Sequence, residues 1–321
     1  MGKFILKRLF QSIIVLFCMS IIAFGVINLA PGEPAAALYG GQMEKLTQQE
    51  RNRINENLGL NKNIVVRYGL WFKDMMHFDM GKSYTSGRNV NDMIKEKLPN
   101  TLLLFFTSFT LTVTLSILLG IFAGLHPNSY IDKSITVFSI TMNGIPNFIV
   151  AIALIFIFSV SFHLLPSAGS NTLFNGGRFL DKIRHLILPV LTVTLSHVGS
   201  FSRFIQEALK DEMQKYYVLV AKANRVPRRT ILLGVLKNAV VPFVNYVGSH
   251  VPSFFSGFVI VETVFAYSGI GNMIVSEIPS KNYPVLMGGI FITGIVVAIS
   301  MLLVDIIQIL LNPKLGKEVS K

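Results

Sequence analysis

Residues 284–311 read PVLMGGIFITGIVVAISMLLVDIIQILL and carry one ionisable side chain, Asp305. Crossing the hydrocarbon of a bilayer takes about 20 mostly apolar residues, because a helix advances only ~1.5 Å per residue. The stretch is long enough to cross and too apolar to rest in water. Five further stretches qualify, at 9–29, 101–125, 135–162, 183–202 and 239–262. The one at 183–202 is the least regular, because His185, Pro189 and His197 interrupt it. The fold class that follows is an all-α polytopic membrane protein with six transmembrane helices.

The whole composition agrees. Hydrophobic residues make up 51% and charged residues 14%, where a soluble domain carries about 25% charged. Mean hydropathy is +0.56. These values exclude a disordered chain and weigh against an ordinary soluble enzyme. The single cysteine, Cys18, excludes an intramolecular disulfide and a cysteine-based metal cluster, and reads as a small core residue. The first apolar stretch follows Lys3, Lys7 and Arg8. It is longer than the apolar region of a signal peptide and no small-x-small cleavage site follows, so it reads as a retained helix.

The formal net charge is +12, from 29 Lys and Arg against 17 Asp and Glu. In a membrane protein such an excess marks the cytoplasmic face. Segment 203–237 holds eight Lys and Arg against three acids, and the tail holds Lys314, Lys317 and Lys321. With six crossings these fall on the same side as Lys3, Lys7 and Arg8, which places both termini in the cytoplasm. Four parts result: 1–30 with the first helix; an extracytoplasmic segment 31–99 with helical patches from Gln48 to Leu58 and from Val90 to Leu98; a membrane core 100–311 that includes the cytoplasmic loop 203–237; and a cytoplasmic tail 312–321.

Catalytic signatures are missing. There is no G-x-x-x-x-G-K-[ST] phosphate loop, so the chain should not hydrolyse ATP itself, and there is no H-E-x-x-H or G-x-S-x-G. The six histidines are scattered along the chain, which points to no resident metal. Charge within the spans is sparse. Glu262 ends the fifth, and Asp305 lies about two turns from the cytoplasmic end of the last, a place that suits an ion pair better than a proton relay. Pro146 and Pro189, with Gly144 nearby, offer kinks.

The loop 203–237 contains Tyr217–Ala223 (YVLVAKA), followed by Asn224, Arg225 and the helix breaker Val226-Pro227. Small alanines let another surface approach, and the bases suit acidic groups. Docking to a partner protein and lying on anionic lipid both fit these residues.

From Tyr217 to Pro242 the sequence resembles the E-A-A-x3-G-x9-I-x-L-P loop of bacterial ABC-importer permeases. It is most similar to the B-type subunit of the dipeptide/oligopeptide/nickel family. Ala221, Lys222, Ala223, Arg229, Asn238 and Pro242 stand where that family has A-R-A-K-G-L…R…RNA…P, with Arg225 replacing the usual glycine. Further matches run in order along the chain. They are Leu29–Pro34 (LAPGEP); Leu58-Gly59-Leu60 with Tyr68, Trp71 and Phe78–Tyr84 (FDMGKSY); Leu98–Thr101 (LPNT); Ile145–Phe148 (IPNF); and Leu164–Gly169 (LLPSAG). Glu262–Phe265 (ETVF) with Gly269–Gly271 (GIG) follows, with Ser268 in place of a proline, and then Asn312-Pro313-Lys314.

The resemblance implies a type I ABC-importer permease fold in a bacterial inner (plasma) membrane. The implied partners are a second homologous permease, two ATP-binding subunits that hold ATP and magnesium, an extracytoplasmic substrate-binding protein, and lipid, with no nucleic acid. No cofactor belongs to this chain. The implied cargo is a short peptide or a nickel or other metal chelate, moved by alternating access. Tyr217, Ala221, Lys222, Ala223, Asn224 and Arg225 would touch an ATPase subunit. Asn143, Asn147, Asn245, Ser249 and Ser253 are the polar candidates for the pathway. The competing reading is an ion-coupled secondary transporter acting alone, which predicts midspan carboxylates and inverted repeats that the sequence does not display.

Overall fold

The computed structural model describes residues 2–29, 47–57, 59, 61–172 and 179–311. The LAPGEP stretch beyond Leu29, the tail 312–321, and Leu58 and Leu60 of the LGL motif lie outside them. Among the described residues the regular elements are helices, with one isolated antiparallel bridge, Lys82 to Asn89.

In chain order the helices are α1 (Gly2–Leu29), α2 (Gln48–Asn57), α3 (Ile64–Met76), α4 (Val90–Leu125), α5 (Tyr130–Gly144), α6 (Asn147–Leu154), α7 (Phe179–Met213), α8 (Tyr216–Ala223), α9 (Arg228–Val264), α10 (Ile270–Glu277) and α11 (Tyr283–Leu311). A π-helical segment, Ile155–Ser161, continues α6. Among the described residues five helices are long and apolar enough to cross a membrane, or six with the pair α5 and α6 and its π-helical extension taken as one span. That pair bends by 104°. The break falls at Ile145-Pro146, where Pro146 cannot donate to α5 and instead precedes the first turn of α6. Pro189, by contrast, sits inside a continuous α7. Pro99 likewise sits inside α4, so the helical patch from Val90 to Leu98 is the opening of a span helix and not a separate element. Helix α3 had no counterpart in the sequence reading. Cys18 is exposed on α1 and is not a core residue.

The chain divides into two compact units. The first unit comprises 1–7, 102–267 and 299–321. Its axis is α7, against which α5, α6 and α9 pack. Helix α7 is 72% buried over its span window, whereas α11 is 6% buried. Its polar interruptions follow from that position: His185, Thr192 and Thr194 are buried against protein, so α7 needs no lipid-compatible surface. Small residues permit the close packing. A methyl added at Gly199 would lie 2.7 Å from the Ser139 Cα of α5, and one added at Gly120 would collide with Ile205. Around α7 an aromatic cluster forms, in which Phe105 stacks on Phe255 at 4.8 Å and Phe201 meets Phe254 at 5.8 Å.

The second unit comprises 8–101 and 268–298. Its core holds Val90, Ile94, Ile270, Met273 and Val285. Two motifs that lie far apart in the sequence meet here. The Thr101 hydroxyl of LPNT accepts from the Ile270 N–H of GIG at 2.8 Å, and Asn100 donates to the Ser268 carbonyl at 2.8 Å. Gly269 lacks a side chain that could cap α10, so Thr101 supplies the missing acceptor. Asn282 is a second tie. Its amide donates to Ser83, Thr85 and Glu277 at 2.8, 3.0 and 2.9 Å, and its carbonyl accepts from the Tyr84 N–H at 2.9 Å.

Candidate functional site

The first unit carries two candidate sites. One is the short helix α8 with the turn that ends it. Val218 is fully buried and Ala221 half-buried, one helical turn apart, and they form the inward face. The remaining residues of the helix are exposed, with the Tyr217 hydroxyl turned back toward α7. Tyr216 is 79% exposed and Leu219 55%, and Tyr217, Val220, Lys222, Ala223, Asn224 and Arg225 are exposed as well. Of the six residues singled out from the sequence here, five lie on the free surface and Ala221 faces partly inward. Tyr216, Leu219 and Val220 complete that surface; the sequence motif gave no reason to name them, because their exposure is a tertiary fact.

Glu212 fixes the start of this helix. It is buried near the end of α7, and its Oε1 accepts from the Tyr217 hydroxyl and from the Asn238 amide of α9, both at 2.9 Å. Lys215 pairs with its other oxygen. The hydrogen bond to Glu212 holds Lys215 above the usual lysine pKa, and burial pushes the Tyr217 phenol up. One carboxylate thus joins three segments, and α8 is held at a fixed place between two long helices.

The far end of α8 closes in a double hydrogen-bonded turn. The Val226 N–H donates to the Ala221 carbonyl and the Arg225 N–H to the Lys222 carbonyl, both at 3.0 Å. This is the Schellman arrangement, whose left-handed position usually belongs to glycine. Arg225 occupies it with φ of 57°.

The second candidate is a cavity of about 260 Å³ lined by side chains from α5, α6, α7 and α9. Of the polar residues named from the sequence, Asn143, Asn147 and Ser253 line it; Ser249 and Asn245 do not, and they lie exposed one and two turns before Ser253 on α9. Ser196, His197, Ser200, His250 and Ser256 also line it and were not foreseen. Ser200 donates to Asn143. The His197 Nδ1 lies 3.0 Å from the Val193 carbonyl and the His250 Nδ1 2.8 Å from the Tyr246 carbonyl. With Nδ1–H donated to those carbonyls, each ring keeps Nε2 as an acceptor. The wall thus offers amide donors, hydroxyls and imidazole nitrogens together, a set able to hydrogen-bond a polar guest from several sides.

A third feature ties α5 to α7. Asp132 is buried at the start of α5 and accepts from Lys210 at 3.0 and 3.1 Å, from the Asn128 N–H at 2.7 Å, and from Gln206. Each lone-pair direction of the carboxylate is met, which is what a buried charge requires.

Comparison with known proteins fits this architecture. The family model described as "Binding-protein-dependent transport system inner membrane component" matches residues 116–317, and its N-terminal companion matches 1–105. The chain is 31% identical to the oligopeptide transport system permease protein AppB of Bacillus subtilis, over 98% of this chain and 99% of the relative. It is 30% identical to a probable peptide ABC transporter permease of Sinorhizobium fredii, over 98% and 99%. It is also 30% identical to the nickel import system permease protein NikB of Staphylococcus aureus, over 97% and 91%.

Proposed function

Because the chain belongs to the binding-protein-dependent transport system inner membrane components, and is thus an ABC-importer permease and not an enzyme, we propose that it forms half of the membrane pathway of an importer for short peptides or a nickel or other metal chelate. A second homologous permease supplies the other half. Two ATP-binding subunits supply the energy, and an extracytoplasmic binding protein delivers the cargo. The termini and α8 face the cytoplasm. ATP closes the ATPase pair, α8 moves with it, and the spans tilt so that the pathway opens alternately to either side.

The observation that carries this reading is α8 itself. It is an exposed apolar and basic surface held at both ends by hydrogen bonds within the chain, so a force applied to it passes into α7 and α9. Lys222, Arg225, Arg228 and Arg229 lie exposed beside the apolar residues and suit an acidic-rimmed groove. The polar cavity supports passage of a hydrogen-bonding cargo. A chelated metal brings its own ligands, so the same amides and hydroxyls serve either substrate.

The test is affinity capture of the tagged chain from native membranes in mild detergent, for the natural sequence and for Ala223→Trp. Ala223 is exposed, so the bulky ring leaves the fold intact and blocks the docking face. The natural chain is expected to bring down a second permease and the ATPases, and the variant the permease alone. ATPases recovered equally with Ala223→Trp would refute the docking face. Recovery of the natural chain alone, monodisperse, would refute the importer reading in favour of the self-sufficient transporter.

A further inference from the structure

The second unit holds a cavity of about 340 Å³ that the proposed function does not use. Four aromatic rings, Phe24, Trp71, Tyr84 and Tyr283, form much of its wall. Arg67 enters between them, with its guanidinium carbon 5.9 Å from the Phe24 ring centre and 5.3 Å from that of Tyr283. These rings hold the cation in place without consuming its hydrogen-bond donors. Among the described residues the Arg67 side chain has no hydrogen bond and no ion pair. An arginine that only braces a fold normally donates to carbonyls or carboxylates, since polar groups withdrawn from water are hydrogen-bonded. Here a half-buried fork of five N–H donors is left open to the cavity.

The same helix supplies the opposite charge. Arg67, Trp71 and Asp74 fall at i, i+4 and i+7 of α3 and line the cavity from one face. The Asp74 carboxylate also has no partner among the described residues. Seven residues of helix separate the two charges by roughly 10 Å along the axis, too far for them to pair directly. Trp71 stands between them, and its buried indole N–H finds no acceptor among the described residues. Lys62 lies on the rim, and so does Asp79, whose carboxylate is taken up by the Gly81 N–H at 2.9 Å; the open pair is Arg67 and Asp74. Uncommitted charges of both signs, an apolar aromatic wall between them and a volume within the range of small-ligand pockets describe a receptor for one kind of molecule.

We propose that this cavity binds a short zwitterionic peptide with an apolar side chain, its carboxylate on Arg67 and its ammonium toward Asp74. An extended chain of two or three residues covers roughly 7–11 Å at 3.3–3.6 Å per residue, which matches the spacing of the two charges on α3. The site is built from other residues than the polar cavity of the first unit. It binds whether or not the chain is coupled to an ATPase.

Trp71 is the only tryptophan of the chain, so its fluorescence reports on this cavity alone. The experiment titrates the purified full chain in phosphatidylcholine nanodiscs with alanyl-leucine, with its carboxamide and with its N-acetyl derivative. A saturable change with alanyl-leucine is expected. Each blocked derivative should bind at least about 10-fold more weakly, as expected for loss of one charge-assisted contact worth ~1.4 kcal/mol. Arg67→Gln should lose the discrimination against the carboxamide, and Asp74→Asn the discrimination against N-acetylation. Absence of a saturable response, or equal responses to all three probes, overturns the proposal, and this comparison needs no variant to fold. A response that appears with phosphatidylglycerol in the nanodisc and not with the dipeptide overturns it in favour of a lipid headgroup. The readout needs no ATPase and no uptake, so its failure leaves the importer reading standing, and the reverse also holds.

Discussion

Arg225→Gly should tighten the turn that ends α8. Arg225 holds a left-handed backbone, φ 57°, which costs an L residue roughly 1–2 kcal/mol that glycine avoids. Glycine has more freedom to lose on ordering, which takes back about 0.4–1 kcal/mol. The net gain is about 0.5–1 kcal/mol for the turn, or roughly a two- to five-fold slower opening. The reporters are the Arg225 and Val226 amides, whose bonds to the Lys222 and Ala221 carbonyls exist only while the turn is closed. Hydrogen exchange of a 219–230 peptide fragment, labelled in the intact chain in nanodiscs, gives the rate. Arg225→Val, β-branched and poorly tolerated at positive φ, should exchange faster than the natural chain. Arg225→Ala removes the charge and keeps most of the backbone cost, so its exchange should stay close to the natural rate. Faster exchange in the glycine variant would refute the argument that backbone conformation limits this turn. Comparing glycine with alanine also separates backbone from guanidinium: uptake lost in both, with exchange slowed only in glycine, assigns the charge to the ATPase contact.

Glu212→Ala leaves the Tyr217 hydroxyl, the Asn238 amide and Lys215 without their shared acceptor. Because water reaches Tyr217 and Lys215, the loss is expected at about 1–2 kcal/mol. It would be read as a lower thermal midpoint and faster tryptic cleavage after Arg225, Arg228 and Arg229. Gly199→Ala drives a methyl to 2.7 Å from the Ser139 Cα and should destabilise by about 1–3 kcal/mol. Gly234→Ala, with nothing within 4 Å of the new methyl, should instead stabilise α9 by up to ~1 kcal/mol, and unfolding midpoints of the two variants should move in opposite directions. The raised Lys215 pKa means that its tie to Glu212 is fully present below the unfolded-state value near 10.5 and fades as pH rises through the folded value. Tryptic susceptibility of the loop, corrected for the protease's own pH profile, should therefore stay flat from about pH 7 to 9; a rise within that interval would contradict the sign.

The crossings and the short helix of the loop 203–237 were legible because each rests on local pattern. A run of apolar residues such as 284–311 announces a span wherever it lies, and Val226-Pro227 ends a helix in any context. What was not legible depends on neighbours. The polar stretch around His185, Pro189 and His197 looked like a poor span; its residues are shielded by α5, α6 and α9, and hydropathy has no access to that shielding. The LPNT and GIG motifs could be quoted, but their meeting through Thr101 and Ile270 spans 169 positions. Asn245 and Ser249 have the right chemistry for the polar cavity and are not in its lining. His250 and Ser256 have the right position, and nothing in their sequence context marked them. Arg225 stands where the resembling motif has glycine, and only the backbone angle, φ 57°, shows that an arginine takes the left-handed position there.

The shielding of α7 bears on how the protein is made. Helices leave the ribosome in order, and α7 emerges before α9 exists. Until α9 arrives, the His197 imidazole lacks the Phe254 ring that stacks on it at 4.0 Å, and that side of α7 faces lipid, where polar groups lack partners. The preceding bent pair gives incomplete cover, since each arm, about 22 Å long at 1.5 Å per residue, falls short of the ~30 Å hydrocarbon. The nascent chain therefore passes through a stage in which its future axis is its least membrane-compatible segment, and a product truncated just after residue 225 should be recognised by membrane quality-control proteases and cleared faster than one truncated after residue 264.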